Sequence, residues 1–131
     1  MVSGRRVTGL GGVFFKARDA NALGAWYREH LGVPVEDGGF AVLPWREHDD
    51  PSREGSTVWA VFDESTDYLG AAGQRAMINY RVADIDAVLA ELRREGVTGD
   101  DHVMEDDNGK FGWITDPEGN RVELWQPPEG R

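Results

Sequence analysis

Two stretches of this chain follow one pattern, and that repeat limits the fold more than any other feature of the sequence. In the first, residues 13–18 read as a strand, Asp19 is placed to cap a helix, and Leu23, Trp26, Tyr27 and Leu31 recur at helical spacing until Gly32 ends the run. In the second, residues 78–82 read as a strand and Asp84 is the cap. Ile85, Val88, Leu89 and Leu92 form its apolar stripe, and Gly96 is the stop. Three strand-like pieces follow each helix: residues 33–36, 40–45 and 57–62 in one half, 102–105, 110–115 and 121–126 in the other. Asp37-Gly38-Gly39, Asn108-Gly109 and Asp116-Pro117-Glu118-Gly119-Asn120 are turns between them. Strand, helix and three strands therefore occur twice, in an α+β arrangement.

The boundaries follow from this. A chain of 131 residues reads as one domain, residues 1–131, with module one at about 9–63, a linker at about 64–75 and module two at about 76–127. Residues 46–55 and 63–74 are polar and turn-rich, and read either as lids over a site or as solvated connections. Composition narrows the partners. Fourteen Lys and Arg against 24 Asp and Glu give a net charge of -10, which disfavours nucleic acid. Arg5 and Arg6 precede an apolar stretch that Lys16 and Arg18 interrupt, too short for a signal peptide or a membrane span. Cysteine is absent, which removes disulfides and thiolate chemistry and suits a cytoplasmic setting. Five Trp are many for this length, and fit either a core and dimer interface or an aromatic ligand pocket.

Two segments carry a family resemblance. Ala25-Trp26-Tyr27-Arg28-Glu29-His30-Leu31-Gly32 is similar to the aromatic-tyrosine helix ending in Leu-Gly of the vicinal oxygen chelate superfamily. Phe111-Gly112-Trp113-Ile114-Thr115 with the Asp116 to Asn120 turn and Arg121-Val122-Glu123-Leu124 resembles that family's closing hairpin. The superfamily includes glyoxalase I, bleomycin-resistance proteins and extradiol dioxygenases. The resemblance covers about residues 9–127. It implies two βαβββ modules forming a curved mixed sheet, a cup with the helices on its outer face, and a homodimer. It also implies, in the metal-dependent members, four His, Gln or Glu ligands, one each from the first and last strand of each module.

Only one of those ligand positions is retained here. Glu123 matches the C-terminal carboxylate. The others fall near Gly12, Thr57 and Met77, or on Asn79 with a shift of two residues, and these cannot hold a catalytic metal. His30, His48 and His102 have no ligand spacing, and the acidic pairs Asp49-Asp50, Asp100-Asp101 and Asp106-Asp107 read as solvated loops. No cofactor is therefore expected.

Strand alternation assigns the cup face. It places Phe14, Lys16 and Arg18 there from the first strand, Thr57 and Trp59 from the last strand of module one, Met77, Asn79 and Arg81 from the first strand of module two, and Arg121, Glu123 and Trp125 from the last. The expected site is thus Glu123 with Phe14, Lys16, Thr57, Trp59, Met77, Asn79, Arg121 and Trp125. Its basic residues point to an acidic or polar-oxygen ligand. Three functions fit. One is a metal-independent binder of a small organic molecule, of the bleomycin-resistance type. Another is a lyase or isomerase with Glu123 as general base. The third is an atypical metal-dependent glyoxalase or dioxygenase.

Overall fold

The computed structural model describes residues 6–131; Arg5 lies outside them. The elements are β1 (Val7–Ala17), α1 (Ala20–Leu31), β2 (Phe40–Arg46), β3 (Glu54–Asp63), β4 (Ala76–Val82), α2 (Ile85–Arg94), β5 (Met104–Asp106), β6 (Gly109–Thr115) and β7 (Arg121–Gln126). Both helices start where their caps place them. Asp19 accepts from the Ala22 amide at 3.0 Å and Asp84 from the Ala87 amide at 3.1 Å. Gly32 closes α1 in the left-handed region at φ 70°.

The seven strands form one mixed sheet in the order β2-β3-β1-β4-β7-β6-β5. The first strands of the two modules, β1 and β4, pair antiparallel at its centre. Each then pairs in parallel with the last strand of its own module, β1 with β3 and β4 with β7. The twofold repeat is therefore a physical near-symmetry about the β1–β4 seam, and the α+β architecture of the sequence reading is the one observed.

Three of the expected strands differ. The first, expected over 13–18, begins at Val7, because Gly9, Gly11 and Gly12 weaken the strand pattern there while the pairing with β4 reaches back to Val7. Residues 33–36 form only a single bridge, Glu36 to Phe40, because the chain turns back at once through Gly38 and Gly39, at φ 97° and 82°. Val35 is buried there and packs toward Gly24 of α1 rather than extending a strand. In module two the short strand begins at Met104, two residues later than expected, and pairs with β6 across the Asn108-Gly109 turn.

The two faces of the sheet carry different cores. On the helix face, Phe15 and Trp59 pack against Tyr27 of α1, with ring centroids 5.1–6.2 Å apart. On the same face Ile85, Val88 and Leu89 of α2 cluster with Val82 of β4 and Leu124 of β7. Gly112 admits that helix, since a Cβ there would lie 2.9 Å from Leu89. On the opposite face Phe14, Ala60, Leu69, Met77 and Trp113 form a second cluster, and beside it the sheet opens into a cleft.

Candidate functional site

One row of residues crosses the sheet: Val42, Val58, Gly12, Asn79, Glu123 and Trp113, each the register partner of the next. This row fixes the site. The four strands that meet at the module seam contribute Val58, Gly12, Asn79 and Glu123, and only the last two carry polar side chains. Both are 1% exposed.

The Glu123 carboxylate is held by three neutral donors. Asn79 Nδ2 donates to Oε1 at 2.6 Å, Trp113 Nε1 donates to Oε2 at 2.8 Å, and the Tyr68 hydroxyl also donates to Oε2. Among the described residues no Lys, Arg or His forms an ion pair with it. Burial, the first cause, and the neighbouring Glu123 charge push the Tyr68 phenol well above its ordinary pKa of 10.0, so it stays a protonated donor. The Asn79 amide is oriented by its bond to Glu123, and among the described residues its Oδ1 has no hydrogen-bond partner. Gly11 makes this arrangement possible: a Cβ there would overlap Asn79 Oδ1 and lie 2.9 Å from the Trp125 ring.

Tyr68 comes from the connection between the modules, which the sequence presents only as a polar segment. Leu69 beside it is fully buried and anchors the connection in the core. The Tyr68 ring stacks on Phe62 at 5.9 Å. Arg121 lies over both Tyr68 and Trp113, 5.6 and 4.8 Å from their centroids. It donates to the Tyr68 carbonyl at 2.7 Å and to Asp100 at 3.0 Å. Residues 64–75 are thus pinned over the carboxylate. The pair Tyr68-Leu69, apolar in a polar stretch, was the available signal.

Glu123 and Asn79 lie at the floor of a cleft of about 490 Å³ walled by Phe14, Phe40, Val42, Val58, Phe62, Tyr68, Phe111 and Trp125. Trp125 is fixed by its indole N–H, 2.7 Å from the Asn108 carbonyl, and by stacking on Phe111. Of the residues that the sequence assigns to the site, Glu123, Phe14, Asn79 and Trp125 line this cleft together.

The others lie elsewhere. Trp59 faces α1, which corrects its assignment to the cup: β3 is apolar at 58 through 62, so alternation cannot choose a face, and Phe15 and Tyr27 supply the aromatic partners. Val58, not Thr57, occupies the row. Thr57 accepts from Trp45 Nε1 at 2.9 Å and donates to the Leu10 carbonyl at 2.7 Å. Met77 is core. Lys16 is buried beside Phe62 in the sheet register but does not itself line the cleft. Arg18 is exposed. Arg121 is bound to Tyr68 and Asp100, as above.

Arg81 is buried between Trp45 and Trp125, 5.1 Å from each ring, and donates to the Ser56 and Arg131 carbonyls. Burial lowers its pKa, with Glu47 opposing. The basic cup expected from alternation is therefore not what lines the cleft. His30, His48 and His102 are all exposed.

A mixed sheet of two α/β modules, with a carboxylate from the last strand of the second module facing a cleft at the seam, defines a protein of the vicinal oxygen chelate class. The chain belongs to the glyoxalase-like domain family, whose model matches residues 12–125. Among solved structures it is similar to methylmalonyl-CoA epimerase from Mycobacterium tuberculosis, with 24% identity over 98% of this chain and 93% of that one, at a TM-score of 0.62. It is similar as well to a Streptomyces coelicolor methylmalonyl-CoA epimerase variant in complex with 2-nitronate-propionyl-CoA, with 20% identity over 95% and 98% of the two chains and a TM-score of 0.69. At this level of identity the similarity is one of fold. No curated protein matches the chain.

The residues present do not fit the divalent metal of the family's metal-dependent members. The row supplies one carboxylate, whose oxygens already accept three N–H or O–H bonds, one amide oxygen, a glycine and a valine. Among the described residues no three His, Cys, Asp or Glu side chains converge. No helix among them is long and apolar enough to cross a membrane.

Proposed function

We propose that this chain binds a small organic molecule in the aromatic cleft at the module seam, without a divalent metal. The observation that carries this reading is the Glu123 network. A carboxylate already held by Asn79, Tyr68 and Trp113, with one acceptor position left on Oε1, is positioned to orient a ligand, not to complete a metal's coordination. The cleft volume of about 490 Å³ suits a small molecule, and its lining combines aromatic walls with a few convergent polar groups. Two other depressions lie away from Glu123: one near the start of α1, and one around Asp49 and Pro127 whose buried polar group is Arg81, already committed to the Ser56 and Arg131 carbonyls.

Two measurements test the proposal. A thermal-shift screen of small aromatic compounds should raise the melting temperature with ligands that lose their effect when Trp125 is replaced by Ala. Elemental analysis of the purified protein should find transition metal far below one ion per chain. Near-stoichiometric zinc, nickel, iron or manganese would overturn the metal-free reading.

One feature favours a second reading, a lyase or isomerase. The Tyr68 phenol and the Glu123 carboxylate share a hydrogen bond inside the cleft, and such a pair can hand a proton to and from a carbon beside a carbonyl. The fold similarity makes methylmalonyl-CoA a reasonable first compound. Deuterium uptake from D₂O that vanishes in Glu123→Gln would establish it, and no uptake by this or other carbonyl compounds would leave binding as the function.

A further inference from the structure

The polar floor of the cleft is made of acceptors, and its donors are already used. Glu123 accepts from an amide, an indole and a phenol, none of them cationic, and Oε1 receives only the Asn79 bond. Asn79 Oδ1, on a residue 1% exposed, has no hydrogen-bond partner among the described residues. A buried amide oxygen left in this state is unusual, because buried polar groups are nearly always paired. It lies against Gly11, whose missing side chain leaves that oxygen bordered by the cleft-lining backbone.

The basic residues that would offset this floor are held elsewhere. Arg81 is enclosed by Trp45 and Trp125, and both its terminal nitrogens donate to carbonyls. Arg121 is engaged with Tyr68 and Asp100. Neither lines the cleft, and nor does Lys16. Arg131 is the basic residue among the described ones that does, and it is exposed. Around the floor stand the rings of Phe14, Phe62, Tyr68, Phe111 and Trp125, whose faces attract cations.

We infer that the cleft selects a ligand bearing an amine, presented as an ammonium, on a compact aromatic or apolar body. This rests on the reading of the cleft as a small-molecule site and names the ligand class. An ammonium carries three N–H donors and no acceptor. At the cleft floor it can donate to Glu123 Oε1, which receives a single protein bond, and to the unpaired Asn79 Oδ1, while its body stacks on the aromatic walls. An acidic ligand would bring a second negative charge to a buried carboxylate that forms no ion pair among the described residues. The net charge of -10 favours approach of a cation in the same sense.

The test compares three probes of one shape on the full chain at neutral pH: 2-phenylethylammonium, 2-phenylethanol and 3-phenylpropionate. Titration calorimetry should show the ammonium binding at least about tenfold more tightly than either of the others. Its binding should also shift the Trp113 indole N–H resonance, since that group is bonded to the same carboxylate. Glu123→Gln should reduce the ammonium's affinity to the level of the alcohol. If that variant does not fold, the comparison on the unmodified chain decides alone. Equal or tighter binding of the alcohol or the propionate overturns the amine class and leaves the cleft a ligand site. No binding of any probe at millimolar concentration overturns the cleft reading with it.

Discussion

Asn79 and Glu123 are register partners on the parallel strands β4 and β7, and the amide of one donates to the carboxylate of the other at 2.6 Å in a fully buried setting. The bond spans 44 positions of sequence and joins the first strand of module two to its last. Around it Tyr68 and Trp113 complete a network in which every donor to the carboxylate is neutral. Each member is a separate test of that network.

Replacing Glu123 by Ala strands the Tyr68 hydroxyl, the Trp113 indole N–H and the Asn79 amide together. Unsatisfied buried donors cost on the order of 1–3 kcal/mol each, with partial relief from water, so the expected loss is about 3 kcal/mol. Urea denaturation measures it. A loss below about 1 kcal/mol would mean that the donors find other partners.

Tyr68→Phe removes one bond to a carboxylate and should cost about 2 kcal/mol near neutral pH. Its pH signature is more specific. The folded-state pKa of the phenol lies above the ordinary 10.0, so the folded chain keeps a proton that the unfolded chain releases. The associated stability is complete below 10.0 and is lost as pH rises toward the folded value. The unmodified chain should therefore lose stability more steeply above that point than Tyr68→Phe. Ultraviolet titration should also show one of the three tyrosines ionising late. Parallel alkaline slopes in the two proteins would contradict the assignment.

Gly11→Ala places a methyl group against Asn79 Oδ1 and the Trp125 ring. Overpacking of this kind costs about 1–3 kcal/mol. Because the displaced group is the one that orients Glu123, the Trp113 indole resonance should move as well. An unchanged resonance with an unchanged melting temperature would show that the floor is looser than the contacts indicate.

Arg81→Met keeps an apolar stem between Trp45 and Trp125 but gives up two cation–π contacts and the bonds to the Ser56 and Arg131 carbonyls. The expected cost is about 2 kcal/mol. Tryptophan fluorescence should change with it, since two of the five indoles lose their guanidinium neighbour. An equal effect of Arg81→Lys would weaken the case for the planar sandwich.

Both helices, their caps, the glycine stops and the two closing turns were legible in the sequence, because each is set by residues within a few positions of one another. Asp19 and Asp84 cap the helices they precede, and Asp116 accepts from the Glu118 and Asn120 amides across its own turn. The face of β7 was legible too, since Val122 and Leu124 contrast with Glu123. On β3 no such contrast exists from 58 to 62, so alternation puts Thr57 and Trp59 on the cup face where the register places Val58 beside Gly12. A slip of one residue in a strand exchanges its faces, which moved Trp59 from the cleft to α1.

By itself, then, the sequence determined the repeated module, its two helices and closing turns, and Glu123 as the carboxylate of the final strand. Local periodicity and capping chemistry suffice for these. Only the tertiary structure decided what surrounds Glu123. The strand order sets Asn79 beside it, and burial of Leu69 carries Tyr68 onto it. The basic side chains find aromatic faces and carbonyls outside the cleft. Those outcomes depend on which distant surfaces pack together, and no spacing along the chain encodes them.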